Sequence, residues 1–150
     1  MNNEKAKTHE FIVENFHKTI DNLVRLNTQN RVVADRHKRA LSPNFWAMKF
    51  CTVRCDIGRG TGKTEYIKRR ATKSDLVIVF NDEACSRIAS EISCPIIIAN
   101  QLERKIMRME NRFNTIFIDE PELIFREISQ QRLYALLVYD YYHTFILLGS

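Results

Sequence analysis

The residues best placed to do chemistry lie in the run Phe50–Thr64, FCTVRCDIGRGTGKT, where Gly58, Gly60 and Gly62 precede Lys63 and Thr64. Glycines let successive backbone N–H groups close around a phosphate, because no Cβ blocks the approach. Lys63 can reach the β- and γ-phosphates of a nucleotide, and the hydroxyl of Thr64 can ligate Mg²⁺. The run predicts a strand, a phosphate-binding turn and the start of a helix.

The glycine spacing departs from the standard phosphate loop, which is a glycine, four residues and then Gly-Lys-Ser/Thr. That pattern puts the first glycine at position 57, where this chain has Ile57, and Gly58 comes one residue later. A glycine turn between any strand and helix therefore stays an alternative for this run taken alone.

A pair of carboxylates follows a second apolar run, NTIFIDE at 114–120. Residues 115–118 are typical of a buried strand, with Asp119 and Glu120 at its C-terminal end. This is the form of a Walker B motif, in which the Asp orients Mg²⁺ and the Glu polarises the attacking water. A cap on the following helix, with Pro121 in its first turn, is an alternative that does not exclude this one. Together the two runs predict ATP and Mg²⁺ as ligands, with Thr64 and Asp119 holding the metal.

Composition narrows the class of protein. The 150 residues, of which 45% are hydrophobic and 27% charged, predict one globular domain, and the net charge of +5 permits a polyanionic partner. No apolar run approaches the ~20 residues of a membrane span, and the polar N-terminus does not resemble a signal peptide, so we expect a cytoplasmic protein. The four cysteines and four histidines show no zinc or disulfide spacing. We expect Cys51 and Cys55 to share one face of the first strand.

The first part of the chain (1–42) is predicted to be a helical segment packed on the core. Residues 8–27, capped by Thr8, have the amphipathic pattern Phe11, Ile12, Phe16, Ile20, Leu23 and Val24, which requires either the sheet or another subunit as its partner. Residues 30–41 predict a second helix ended by Pro43, whose basic run is either a solvated face or a contact with a phosphate backbone. Phe45 and Trp46 are then candidates for stacking on adenine or for the core.

The rest of the chain alternates apolar strands with helices. Strands are expected at 75–80, 94–100, 115–118 and 143–150, and helices at 63–72, 81–92, 101–112 and 121–140; Ile106 and Met107 are expected on the inner side of the third. This alternation predicts an α/β three-layer sandwich with a mainly parallel sheet, preceded by the N-terminal helices. Ligands bind at the C-terminal strand ends of such sheets. The glycine turn, Asp119, Glu120 and Ser150 are all expected at that edge.

From about residue 45 to 150 the chain resembles the additional-strand, catalytic-glutamate class of P-loop ATPases, which includes RecA-like motors. GRGTGKT is most similar to the Walker A motif of viral large terminase subunits, the DNA-packaging motors, which often lack the first standard glycine and carry an arginine four residues before the lysine. IIIAN-QLERK is similar to helicase cores of superfamily two, and ILLGS resembles the coupling motif of both groups. The resemblance implies catalysis by Glu120, Lys63 and Arg59, the last as a cis arginine finger. It also implies Ser150 as a sensor, and nucleotide binding by Gly58, Arg59, Gly60, Thr61, Gly62, Lys63 and Thr64.

The function implied is a motor-like ATPase acting on nucleic acid, with DNA favoured and the host cytoplasm as its location if the protein is viral. We see no residues for a terminase nuclease domain or a second helicase domain, so a homo-oligomer or a partner protein is expected to supply an arginine in trans. Arg108, Arg112 and Arg126 are the candidates if a second copy supplies it. The alternatives are a small-molecule kinase and an ATPase-like module that regulates a partner assembly with little turnover. The basic clusters at 36–39, 68–73 and 104–112 predict salt-sensitive binding of nucleic acid.

Overall fold

The computed structural model describes residues 3–109 and 112–149. Within these ranges five parallel strands form one sheet in the order β1-β5-β4-β2-β3. The strands are β1 (Thr52–Cys55), β2 (Leu76–Val79), β3 (Ile96–Ile98), β4 (Thr115–Asp119) and β5 (Thr144–Leu148). The prediction of an α/β fold with a mainly parallel sheet is confirmed, and every strand pair of the described residues is parallel.

Helices flank and connect the strands. They are α1 (Asn3–Val33), α2 (Pro43–Phe50), α3 (Lys63–Arg70), α4 (Asp82–Ile88), α5 (Leu102–Ile106), α6 (Pro121–Glu127) and α7 (Gln130–Leu137), with 3₁₀ turns at Asp35–Ala40 and Ala99–Gln101. No helix in the described ranges combines the length and the apolar sequence that crossing a membrane requires.

Two apolar clusters lie on opposite faces of the sheet, because successive strand residues point to opposite sides. In β2, Leu76 and Ile78 belong to the cluster shared with α2, α5, α6 and α7. Val77 and Val79 belong to the cluster shared with α1, α3 and α4. This is why β2 is apolar throughout, and the arrangement is compatible with a three-layer α/β fold.

Helix α1 is a single helix of 31 residues, longer than the predicted 8–27. Its middle packs on the sheet through Phe16 and Ile20, which are buried, whereas Phe11 is 66% exposed. Farther along, the amide nitrogen of Asn27 donates to the carbonyl of Phe50. Thr8 lies inside the helix, where its hydroxyl donates to the carbonyl of Glu4, so the prediction that Thr8 caps the helix is wrong.

The predicted second helix at 30–41 is also wrong, because α1 extends to Val33 and a 3₁₀ turn follows. Pro43 begins α2 instead of ending a helix, since its fixed φ suits the first helical turn, where a missing N–H costs nothing. Phe50 is consequently the last residue of α2, and β1 starts only at Thr52.

Two cysteines that were expected on one face lie on opposite faces. Cys51 follows α2 and is buried in the α2 cluster, while Cys55 packs against the α1 cluster. The expectation failed because Cys51 precedes the strand, so the two-residue alternation of a strand does not apply to it.

Other predicted helices are shorter. The helix expected at 121–140 is two helices, because Ile128 is extended (φ −142°) and the Ser129 hydroxyl accepts the Arg132 N–H at 3.2 Å to begin α7. The helix expected at 101–112 ends at Ile106, and Met107 is 83% exposed instead of facing inward.

We predict that Ile20→Ala lowers the free energy of unfolding by about 2–5 kcal/mol, because it leaves a cavity between α1 and the sheet. Leu26→Ala, on the same helix at a side chain that is 50% exposed, is the matched control and changes it by less than about 0.5 kcal/mol. Urea unfolding measures both. Equal losses in the two variants would mean that α1 does not pack on the sheet as described.

Candidate functional site

The turn after β1 is tight and is closed by its own side chains. All three of its glycines have positive φ: 105° at Gly58, 73° at Gly60 and 90° at Gly62. The Gly58 N–H donates to Asp56 Oδ1 at 3.0 Å, and the buried Thr61 hydroxyl donates to the Gly58 carbonyl at 3.1 Å. Helix α3 begins at the next residue after Gly62, so its N-terminal N–H groups open onto the turn.

Lys63 directs its ammonium group to the carboxyl edge of the sheet. Its Nζ lies 2.8 Å from Asp56 Oδ1, and the side chain is only 12% exposed. A Cβ built on Gly149, just after β5, would lie 3.6 Å from Lys63 Nζ and 3.3 Å from Glu120 Oε2. The ammonium and the Glu120 carboxylate therefore converge on the space that Gly149 leaves open.

Asp119 is the last residue of β4, and its carboxyl faces two opposing influences. Burial, and then the charge of Glu120, raise the pKa of Asp119 to about 6, while Lys63 and Arg87 act in the opposite direction. Two adjacent carboxylates in a partly desolvated place favour a bound cation.

The donor set fits Mg²⁺. The Thr64 hydroxyl and the Asp119 carboxylate line one cavity and are hard oxygen donors. Mg²⁺ is usually held by one or two protein ligands together with water and phosphate oxygens. No group of three or more His, Cys, Asp and Glu side chains is placed to hold a metal within 3–109 and 112–149, so an all-protein cage is not what these residues offer.

Glu120 has a strained backbone. Its φ of 58° is the one positive value outside glycine in the described chain, a conformation that costs roughly 1–2 kcal/mol. The Glu120 N–H donates to the Leu148 carbonyl at 3.0 Å, which ties the end of β4 to β5. Its side chain makes no capping bond to α6, although Pro121 begins that helix as predicted. The carboxylate lies instead beside Gly149, and Glu120 lines the cavities described next.

A cavity of ≈ 650 Å³ brings most of the predicted site residues together: Arg59, Gly60, Thr61, Gly62, Lys63, Thr64, Asp119 and Glu120 all line it. Gly58 lines an adjoining cavity of ≈ 240 Å³, which shares Arg59, Lys63 and Glu120 with the larger one. Ser150, the predicted sensor, lies outside the described residues.

The three arginines considered as donors in trans differ in position. Arg126 lines the smaller cavity of its own chain, with Nη2 3.2 Å from Glu122 Oε1. Arg112 pairs with Asp140 at 3.7 Å, and neither it nor the exposed Arg108 lines either cavity. Arg126 therefore lies beside the candidate site of its own chain, because α6 begins directly after Glu120 at the carboxyl edge of the sheet.

The adenine candidates are not at the cavity. Trp46 is fully buried in the α2 cluster, so packing in the core is the alternative that holds for it. Phe45 is 48% exposed but lies outside the cavity lining. The positions of both side chains result from α2, because residues 43–50 form a helix where a lead into the first strand was expected.

Several residues at the site were missed. Asp56 directly follows β1, as Asp119 ends β4, so both lie at the same edge of the sheet. An acidic residue directly after the first strand was therefore a signal that could have identified Asp56. Arg87 of α4 lines the large cavity and forms an ion pair with Glu83 at 2.6 Å. His17 of α1 contacts Gly62 from 45 residues away, and nothing in the local sequence indicates this.

The basic cluster at 68–73 is largely neutralised within the chain. Lys68 pairs with Glu91 at 2.9 Å, Arg69 with Glu65 at 3.3 Å, and Arg70 with Asp21 at 2.8 Å. Lys73 is exposed. The three ion pairs weaken this cluster as a contact for a polyanion.

No family model, curated protein or solved structure matched this chain. The function is therefore inferred from the geometry of the site and from the sequence motifs.

We predict that Gly62→Ala lowers the free energy of unfolding by about 2–4 kcal/mol. The substituted residue has to keep the left-handed φ of Gly62, and its Cβ lies 2.8 Å from Val13 Cγ1. Backbone strain and overpacking therefore both destabilise the fold. Gly60→Ala is the control, since its Cβ meets nothing within 4 Å and only the backbone strain of roughly 1–2 kcal/mol remains. Urea unfolding that gave the same loss for both would contradict the contact between α1 and Gly62.

Proposed function

We propose that this chain is a Mg²⁺-dependent P-loop ATPase, a motor-like domain that acts on nucleic acid, with DNA favoured. The observation that carries the proposal is the convergence of Lys63, Thr64, Asp119 and Glu120 on one cavity at the carboxyl edge of a parallel sheet. These are the groups that phosphoryl transfer to water requires: a cation for the phosphates, oxygens for the metal and a base for the water.

The strand order supports the same proposal. Ligands of parallel sheets bind outside the carboxyl ends of the strands, so one strand between the two motif strands leaves room for a ligand between the motifs. Here β5 lies between β1 and β4, and the Glu120 N–H bonds to the last residue of β5.

The binding step uses the turn and α3. The phosphates bind to backbone N–H groups of the glycine turn and of the start of α3. The first N–H groups of α3 lack partners within the helix and carry its positive dipole end. Lys63 moves from Asp56 to the β- and γ-phosphate oxygens. Thr64 and Asp119 would hold Mg²⁺, which neutralises charge on those phosphates.

The chemical step uses Glu120. Its carboxylate accepts a proton from a water molecule as the water oxygen attacks the γ-phosphorus. The bond between the γ-phosphorus and the bridging oxygen breaks, and ADP leaves with that electron pair. Arg59, which lines both cavities, neutralises the charge that develops on the γ-phosphate.

Exposed basic side chains support the nucleic-acid part of the proposal. In the other two predicted clusters, 36–39 and 104–112, the exposed side chains include Arg36, Arg39, Arg104, Lys105 and Arg108. A second copy or a partner protein would complete the cleft by supplying an arginine in trans.

One observation favours the alternative, an ATPase-like module that regulates a partner assembly with little turnover. The Lys63–Asp56 ion pair must open before Lys63 can bind phosphate. A partner that opens this pair would control nucleotide binding.

We predict that Glu120→Gln lowers ATP turnover by roughly 10²- to 10⁴-fold while keeping affinity for Mg²⁺-ATP, because it removes the base and keeps the size of the side chain. Turnover is measured with and without added DNA or RNA. Glu127→Gln, an exposed residue of α6 outside both cavities, is the matched control and retains wild-type turnover.

Unchanged turnover in Glu120→Gln would remove that residue from its catalytic role. Tight nucleotide binding by the wild type without turnover under any condition would favour the regulatory module.

A further inference from the structure

His17 connects α1 to the turn that carries the site. It is buried, with 3% of its surface exposed, and its Nε2 lies 2.9 Å from the Gly62 carbonyl oxygen. Its ring packs edge-on against Tyr66 of α3, with ring centroids 5.3 Å apart. Helix α1 contributes no motif residue, so the sequence motifs do not explain why a polar ring is buried there against the turn.

The hydrogen-bond partners indicate which ring nitrogen of His17 donates and which accepts. A carbonyl oxygen only accepts, so Nε2 carries the hydrogen and donates to Gly62. Nδ1 is then the acceptor, facing Arg69 Nη1 at 3.4 Å. The Gly62 oxygen also accepts the Tyr66 N–H at 2.8 Å, so two donors hold one carbonyl.

That carbonyl controls an N–H at the site. The Gly62 C=O and the Lys63 N–H belong to the same peptide group, and in a trans peptide they point in opposite directions. Holding the oxygen against α1 therefore directs the Lys63 N–H away from α1. Lys63 is the first residue of α3, so this N–H has no partner within the helix. Hydrogen bonds to the carbonyl also polarise the N–H and strengthen it as a donor.

We propose that His17 is a positioning residue of the nucleotide site: through the Gly62 carbonyl it orients the Lys63 N–H towards the phosphates. The inference rests on the proposed function for its ligand. It makes α1 a part of the nucleotide site and not only a cover for the sheet.

Two variants separate the hydrogen bond from the packing. His17→Leu keeps an apolar body and removes the donor, whereas His17→Gln keeps an N–H donor. Phe16→Leu is the control, since Phe16 is buried beside His17 and no hydrogen bond joins it to Gly62. Each variant is tested in the full chain for Mg²⁺-ATP affinity, melting temperature and hydrogen exchange of the Tyr66 amide without nucleotide.

We expect His17→Leu to weaken Mg²⁺-ATP binding by roughly three- to tenfold and to speed exchange of the Tyr66 amide. His17→Gln retains most of the wild-type affinity and most of the protection of the Tyr66 amide. Phe16→Leu lowers the melting temperature and leaves the affinity within about twofold of the wild type.

If the wild type binds nucleotide, equal losses of affinity in His17→Leu and His17→Gln would overturn the positioning role alone. Weakening of binding by Phe16→Leu to the same extent as by His17→Leu would also overturn it, because packing would then explain both losses. A wild type that binds no nucleotide would overturn the proposed function and the positioning role together.

Discussion

The pairing of β5 with both β1 and β4 is the constraint on which the site depends. Because β5 lies between them, the turn after β1 and the carboxylates after β4 are two strand spacings apart, roughly 10 Å. Gly149 follows β5 and has no side chain to fill this gap, so Lys63 and Glu120 reach into it from either side. A larger residue at 149 would occupy the space that the ammonium and the carboxylate border.

This spacing divides the site into two halves of different chemistry. The turn and the start of α3 supply N–H groups, Lys63 and Arg59, while the end of β4 supplies Asp119 and Glu120. Asp56 and Lys63 satisfy each other in the present arrangement, and burial beside Glu120 raises the pKa of Asp119. In the proposed function, a triphosphate with its metal would add negative charge to the first half and positive charge to the second, which is the charge pattern that each half favours.

The sheet and the position of its motifs could be predicted because they depend on local patterns. Apolar strands alternating with helices favour a parallel sheet, and a glycine turn or an Asp-Glu pair after a strand then lies at its carboxyl edge. Helix ends were less predictable: Pro43 begins α2 where the end of a helix was expected, and Ser129 caps the start of α7 where a helix was expected to continue. The contacts of His17 and Val13 with Gly62 were beyond prediction, because packing between distant segments decides them.

Binding of a nucleoside triphosphate by the turn is tested most directly by equilibrium binding of ATP in the presence of Mg²⁺. The wild type should bind, and Lys63→Ala should lose at least about tenfold in affinity, because a charge-assisted bond to phosphate contributes about 1.5–3 kcal/mol. Lys73→Ala, an exposed lysine outside the cavity lining, should bind as the wild type does. Undiminished binding in Lys63→Ala, or no binding by the wild type, would contradict the account.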